Sequence, residues 1–358
     1  MLKIKRLFYE YNKTLNYNFL YRKRIPFKFN TFESEKYIQL MNTIPSVDLK
    51  DFTSDDPERK QKFIDELGSA YEDIGFVSLK NHFLDDQLVE HLYSEIKDFF
   101  DLPEETKTNY EIEELHGQRG YISFGKEHAK GKKEGDLKEF WHFGQEPEAD
   151  ADLKEKYPDN VQVKELEDFN ETGMQAYKML EKTGIYVLRA LALYIGLDEF
   201  YFDKWAKNGN SILRPIHYPP ITDEPKGAVR AGAHGDINLI TLLMGASAGG
   251  LQVLRKDGEW IDAIPQDDEL VINVGDMLER LTNNKLRSTI HRVANPPKVQ
   301  WSSPRYSIPF FMHPRSEMPL NCLDLCVNEE HPKAYEDITA GAFLHQRLVD
   351  IGLIKEKK

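Results

Sequence analysis

Cysteine is nearly absent: the 358-residue chain has two, Cys322 and Cys326. Two thiols four positions apart exclude a disulfide framework and an all-thiolate zinc site, and they read as free thiols of a reducing compartment, so a cytoplasmic protein is expected. No stretch of ~18 consecutive apolar residues occurs, which leaves no candidate membrane span. A basic excess is missing as well. The formal net charge is −13, and a phosphate-binding surface needs a basic footprint, so nucleic acid is not expected as a partner. "GASAGG" at 245–250 lacks the Gly-Lys-Ser/Thr that a phosphate loop requires. Internal repeats and low-complexity tracts are also absent, and nothing in the sequence sets an oligomeric state.

The charge that is present is uneven. Residues 1–40 carry nine Lys/Arg against three Asp/Glu, which leaves −19 for residues 41–358. This basic start has no apolar core with small-residue flanks, so it is a poor secretory signal. It reads as an ill-packed extension, with a transit-like or membrane-surface segment as the alternative. Globular patterning begins after Met41. "SDDPERKQKFIDELGSAYEDIG" predicts a helix from Ser54 to Gly75, "FVSL" a short strand and Gln87–Phe100 a second helix. Residues 111–160 read as charged and irregular, with "GKEHAKGKKEGD" a solvated loop. Val163–Leu197 predicts the longest helix, although Gly173 and Gly184 interrupt its apolar face. After Ser211 the runs "SILRPIHY", "DINLITLLM", "GLQVL", "EWIDAI", "LVINVG", "STIHRV" and "RYSIPFFM" alternate with turn signals, the pattern of an all-β sandwich or barrel.

The stretch "AHGDINLITLL" opens a buried strand with two water-loving side chains. Residues i and i+2 of a strand share a face, so His234 and Asp236 would stand side by side. A metal ion would offset their desolvation. His291, in "STIHRV", offers a third ligand from another predicted strand. Two histidines and one carboxylate form the facial triad of non-haem Fe(II) oxygenases, which leaves positions open on the metal. His-x-Asp alone is common by chance; Arg305 and Ser307 in "RYS" add weight. They too share a strand face, and together they could hold a carboxylate. A dicarboxylate that chelates metal at one end would fit a pocket with such a clamp at the other.

The order His234-x-Asp236, His291, Arg305-x-Ser307 resembles the isopenicillin N synthase-like iron/2-oxoglutarate dioxygenases. The similarity extends to "IPSVDLKDF", "GFVSLKNH", "GGLQVLRKDGEWIDAIP", "LVINVGDMLERLTNNKLRSTIHRV", "RYSIPFFMHP" and "YEDITAGAFLHQRLVDIGL", from Ile44 to Leu353. It implies a mainly β fold with α: a distorted double-stranded β-helix (jelly roll) core flanked by helices. The implied organisation is a basic extension over 1–40 and a helical N-terminal region over 41–160. Residues 161–358 would hold the long helix, the jelly roll and a C-terminal helix, in one compact unit with 41–160. Fe(II) would be held by His234, Asp236 and His291. 2-Oxoglutarate, the cosubstrate with O2, would place its distal carboxylate on Arg305 and Ser307, with Tyr218 beside it. Many plant members carry Asn two residues before that tyrosine; here Ile216 stands there, so that contact is not expected.

The reaction so implied is oxidation of a small molecule, with release of succinate and CO2. By the same resemblance Tyr121, Phe124, Phe140, Trp141 and His142, in and around "DLKEFWHF", would line the substrate pocket; the alternative is that the aromatics seal the helical layer onto the sandwich. His217 would face away from Tyr218 in a structural role. Asn273, Gly275 and Asp276 read as a turn and a capped short helix. Two other functions compete. An iron oxidase of the same fold would share the metal ligands and Arg-x-Ser without using 2-oxoglutarate. A binding module that had lost catalysis would be expected to have lost a ligand, and none is missing.

Overall fold

Short-range signals set the helices of this computed structural model, which describes residues 44–127, 135–147, 157–225, 227–245, 249–264 and 268–350. Helix α1 (Pro57–Asp73) begins with proline at its first turn, and the Asp56 carboxylate accepts from the amides of Glu58 and Arg59. Gly75, at φ 74°, takes the left-handed conformation just beyond its end. Helix α2 (Asp86–Phe100) is capped by Asp85 and buries Leu92, Ile96, Phe99 and Phe100. The basic segment 1–40 lies outside the described residues.

The long helix α3 runs from Phe169 to Ile195, six residues shorter at its start than its apolar period suggests. The Asn170 side chain explains the late start. It accepts from the Val163 amide and donates to the Val161 carbonyl, at 2.8 Å each, so the chain enters through a side-chain-closed turn. Neither glycine breaks the helix. Both mark places where the sheet presses against it: a Cβ on Gly173 would lie 2.4 Å from the Phe143 ring, and one on Gly184 2.4 Å from Met312 Sδ.

The strands are, in chain order, β1 (Ser46–Asp48), β2 (Phe76–Lys80), β3 (Gly120–Ile122), β4 (Glu139–Gly144), β5 (Ile212–Leu213), β6 (Ile216–Tyr218) and β7 (Ala231–His234). Then follow β8 (Ile240–Met244), β9 (Leu251–Leu254), β10 (Trp260–Asp262), β11 (Leu270–Val274), β12 (His291–Val293) and β13 (Arg305–Met312). Helix α4 (Asp276–Leu281) follows β11, and α5 (Ala340–Asp350) comes last. One sheet has the order β1-β2-β11-β8-β13-β5-β4-β3, with β6 bridging β13 and β4; the other has β10-β9-β12-β7. The two form a distorted jelly roll, with α3 packed on the larger sheet.

Residues 111–160 are therefore not all irregular, since β3 and β4 lie among them. Glu139 shows how a charged segment enters a sheet. Its buried carboxylate accepts from Lys107 Nζ at 2.8 Å, His217 Nδ1 at 2.7 Å and the Tyr121 hydroxyl, so none of its charge is left unmatched. No helix of the described residues is long and apolar enough to cross a membrane.

Gly173→Ala tests the close approach of α3. Alanine ordinarily favours a helix over glycine by about 1 kcal/mol, but here it would force the buried Phe143 ring aside, at about 1–3 kcal/mol. The expected result of urea unfolding is a variant less stable than wild type. A gain in stability would show that the helix has room.

Candidate metal centre and active-site cleft

The stretch 233–243 is not one strand. β7 ends at His234 in the smaller sheet and β8 begins at Ile240 in the larger one, so Gly235–Leu239 crosses between sheets. Asp236 lies in that crossing, and the same-face argument from strand alternation does not place it. Backbone amides near the start of α4 do. Those of Asp276, Gly275 and Met277 donate to the carbonyls of Asp236 (2.7 Å), Leu239 (2.9 Å) and Ile237 (3.2 Å). His291 on β12 pairs in register with His234 on β7, with ring centroids 4.5 Å apart.

Three donor atoms converge as a result. Asp236 Oδ1 lies 3.9 Å from His234 Nε2 and 3.8 Å from His291 Nε2. Each histidine's other nitrogen faces a carbonyl: His234 Nδ1 is 2.7 Å from Gly232 O, and His291 Nδ1 is 3.1 Å from Thr289 O. A carbonyl can only accept, so Nδ1 carries the proton and Nε2 keeps a lone pair for the cleft. The carboxylate is arranged in the same way. Its Oδ2 accepts from Thr241 Oγ1 at 2.6 Å and Asn273 Nδ2 at 2.8 Å, which leaves Oδ1 toward the imidazoles. Asn238 Nδ2 donates in turn to Thr241 Oγ1 at 3.0 Å.

Charge states agree with this arrangement. Desolvation, then the neighbouring His291, push the His234 imidazole down to about 4, so it is neutral near pH 7. Burial alone would raise the Asp236 carboxyl; the two imidazoles and its two hydrogen-bond donors outweigh that and hold it below the usual carboxylate range. Two imidazole nitrogens turned to the cleft and one anionic oxygen suit a six-coordinate divalent cation such as Fe(II), with positions left for other ligands.

The cleft around these atoms measures about 590 Å³ including its mouth, and both sheets line it. Alternate residues of β13 (Arg305, Ser307, Pro309, Phe311) face it. Arg305 is opposite Tyr218 in the β13–β6 register, and its guanidinium lies 5.0 Å from the tyrosine ring centre. Arg305, Ser307 and Tyr218 are all buried, so the structure brings them together along one wall.

Among the described residues, none of the five expected pocket residues lines this cleft. Tyr121 and Trp141 belong to the main core, where Trp141 packs on Phe99 and Phe169. Phe124 is 48% exposed. Phe140 backs the wall with Ile216, Tyr218, Ala231 and Val293. His142 is buried behind Arg214, accepting from its Nε at 2.6 Å while its Nδ1 faces Gly117 O at 2.7 Å. For Phe140, Trp141 and His142 the physical reason is that β4 is an interior strand, buried along its whole length. His217 faces Glu139 and stacks on Tyr306.

The side chains that do line the cleft include Arg214 and Phe311, away from Arg305, and Lys138, which continues the β4–β6 register toward Tyr218. The Arg214 guanidinium lies between the rings of Phe140 (4.5 Å) and Phe311 (5.0 Å), with Glu127 at 3.4 Å. Lys138 Nζ contacts Glu127 at 2.6 Å and Asp136 at 3.0 Å. Despite burial, those two acids hold the ammonium above its ordinary range. Asn273, read as part of a turn, lies instead on β11, and Thr241 was not singled out. Their signal was available: an amide inside "LVINV", like a histidine before "INLIT", needs a buried partner.

Removing either hydrogen bond to Asp236 Oδ2, by Asn273→Ala or Thr241→Val, frees the carboxylate to rotate. Mn(II) affinity is expected to fall by about ten- to a hundredfold with the fold intact. Calorimetric titration checks this; unchanged affinity would show that packing alone orients Asp236.

Two family descriptions match the sequence: a non-haem dioxygenase N-terminal region, described from morphine synthesis, over residues 44–165, and the 2OG-Fe(II) oxygenase superfamily over 209–314. A 2-oxoglutarate-Fe(II) type oxidoreductase of Emericella nidulans is 30% identical over 316 residues, 84% of this chain and 89% of its own. A proline hydroxylase of Petromyces alliaceus is 32% identical over 322 residues, 86% of this chain and 98% of its own. A 2OG-Fe(II) oxygenase family protein from Caulobacter crescentus superposes with TM-score 0.78 at 44% identity, over 86% of this chain and 99% of that one. A full-length Neurospora crassa protein, solved in complex with alpha-KG and thymine, superposes with TM-score 0.75 at 33% identity, over 86% of this chain and 96% of that one. The chain belongs to the 2OG-Fe(II) oxygenase superfamily and is a dioxygenase that uses Fe(II), 2-oxoglutarate and O2.

Proposed function

We propose that His234, Asp236 and His291 hold the iron, that Arg305, Ser307 and Tyr218 receive the distal carboxylate of 2-oxoglutarate, and that a small organic substrate lies toward Arg214 and Phe311. The observation that carries the metal assignment is the occupancy of every other donor atom: both Nδ1 atoms and Oδ2 are engaged, and only Nε2, Nε2 and Oδ1 are left to converge. Iron with its cosubstrate would supply oxidation of a substrate C–H bond, with 2-oxoglutarate leaving as succinate and CO2.

The protein's own part is orientation and exclusion of water. Asn273 and Thr241 keep Asp236 from presenting both oxygens. Arg305 offers a charged fork and Ser307 a neutral donor to one carboxylate. Phe76, Leu243, Leu251 and Val293 give the cleft apolar walls. At the substrate end, Arg214 is fixed by His142, Glu127 and two aromatic rings, while Phe311 offers a flat apolar face. That combination suits a flat molecule bearing a carbonyl or carboxylate acceptor. The thymine complex of the Neurospora crassa protein supports this reading, since thymine is a flat ring with carbonyl acceptors.

Fe(II) or Mn(II) is expected to raise the melting temperature by binding only the native state, and His234→Ala is expected to abolish that rise; an equal shift in the variant would refute the metal assignment. For the cosubstrate, Arg305→Gln is expected to weaken 2-oxoglutarate by about ten- to a hundredfold, the scale of a charged hydrogen bond, with metal affinity within about twofold of wild type. Equal loss of both ligands would contradict the division of labour between the two ends of the cleft.

A further inference from the structure

Arg230, the residue before β7, is 2% exposed. Its backbone amide donates to Asn295 Oδ1 at 3.0 Å and its Nη2 to the Ser303 carbonyl at 3.1 Å. Its Nε has no hydrogen-bond partner among the described residues, and no described carboxylate forms an ion pair with it. The two buried lysines of the described residues are treated differently: Lys107 meets Glu139 at 2.8 Å, and Lys138 meets both Glu127 and Asp136, whereas buried Arg119, like Arg230, meets no described carboxylate. A buried guanidinium without a counter-charge costs several kcal/mol, which raises the question of what this position gains from one.

Its surroundings indicate the use. The Arg230 guanidinium lies 5.9 Å from the centre of the Tyr218 ring, and that of Arg305 lies 5.0 Å from the same centre. Two cations therefore flank one buried aromatic ring at the end of the cleft away from Arg214. Burial, and next the charge of Arg305, lower the Arg230 pKa, as expected for like charges that share a site. An anion placed there would relieve both.

We propose that Arg230 is a positioning residue for the cosubstrate, a second cation that makes this end of the cleft selective for an oxo acid with a distal carboxylate. It acts through Tyr218 and the local field rather than by touching the ligand. The inference rests on the reading of Arg305 given above, and the experiment separates the two. Dissociation constants for 2-oxoglutarate and for 2-oxobutyrate, which keeps the chelating end and lacks the distal carboxylate, are measured by calorimetry on the Mn(II)-loaded full chain. Wild type, Arg230→Gln, Arg230→Lys and Arg305→Gln are compared.

Arg230→Gln is expected to weaken 2-oxoglutarate by about tenfold, the effect of one unit charge removed at partly buried range, and to leave 2-oxobutyrate within about twofold. Arg230→Lys keeps the charge and is expected to bind both ligands as wild type does. It also decides the matter if the glutamine variant does not fold, because tenfold weakening by Lys overturns the charge account. Equal weakening of both ligands by Arg230→Gln would make Arg230 merely structural and overturn the inference. Unchanged 2-oxoglutarate affinity in Arg230→Gln, with loss in Arg305→Gln, would overturn it while leaving the carboxylate end intact. No loss in Arg305→Gln would overturn the assignment beneath both.

Discussion

The constraint on which the site depends is that Asp236 must present one oxygen and only one. It lies where the chain leaves one sheet of the jelly roll for the other, and nothing in strand geometry would aim it. Backbone amides from the start of α4 fix the crossing, and Thr241 and Asn273 claim the second oxygen. Those two side chains come from β8 and β11, neighbours in the larger sheet, whereas both histidines come from the smaller one. The candidate metal site is thus assembled across the sandwich. A buried polar network of this kind is stabilising only when every member is satisfied, and a divalent cation would complete the set.

Electrostatics organise the remainder of the cleft. The chain carries a net charge of −13, yet Lys138, Arg214 and Arg305 all line a cleft in which Asp236 is the sole lining carboxylate among the described residues. Glu127 and Asp136, which balance Lys138 and Arg214, do not line the cleft, and their ion pairs hold both cations in place. A dicarboxylate cosubstrate at one end and an acceptor-bearing substrate at the other would both suit such a lining.

Much of this was readable in the sequence, though not always for the right reason. His234, Asp236, His291, Arg305 and Ser307 stood out because ionisable side chains are costly in β-rich apolar runs. The jelly roll followed from the density of short strands and the family resemblance. The step from His-x-Asp to a shared strand face failed, because the strand breaks between the two residues. Phe140, Trp141 and His142 failed for a different reason: β4 is buried on every side, and alternation cannot tell which face of such a strand looks at a cleft. Asn273 was read as part of a turn because its partner, Asp236, is 37 positions away, a distance that local reading does not span. Gly173 and Gly184, read as doubtful points in the long helix, serve instead as close contacts with Phe143 and Met312.

The most direct measurement is anaerobic titration of the metal-free chain with Fe(II) and 2-oxoglutarate, followed by visible absorption, in wild type and Asp236→Ala. The expected result is a weak metal-to-ligand charge-transfer band in wild type that requires both additions and is absent from the variant. Iron bound in wild type without a band on adding 2-oxoglutarate, or an equal band in Asp236→Ala, would contradict a site in which Asp236 and the two histidines present the metal to a chelating oxo acid.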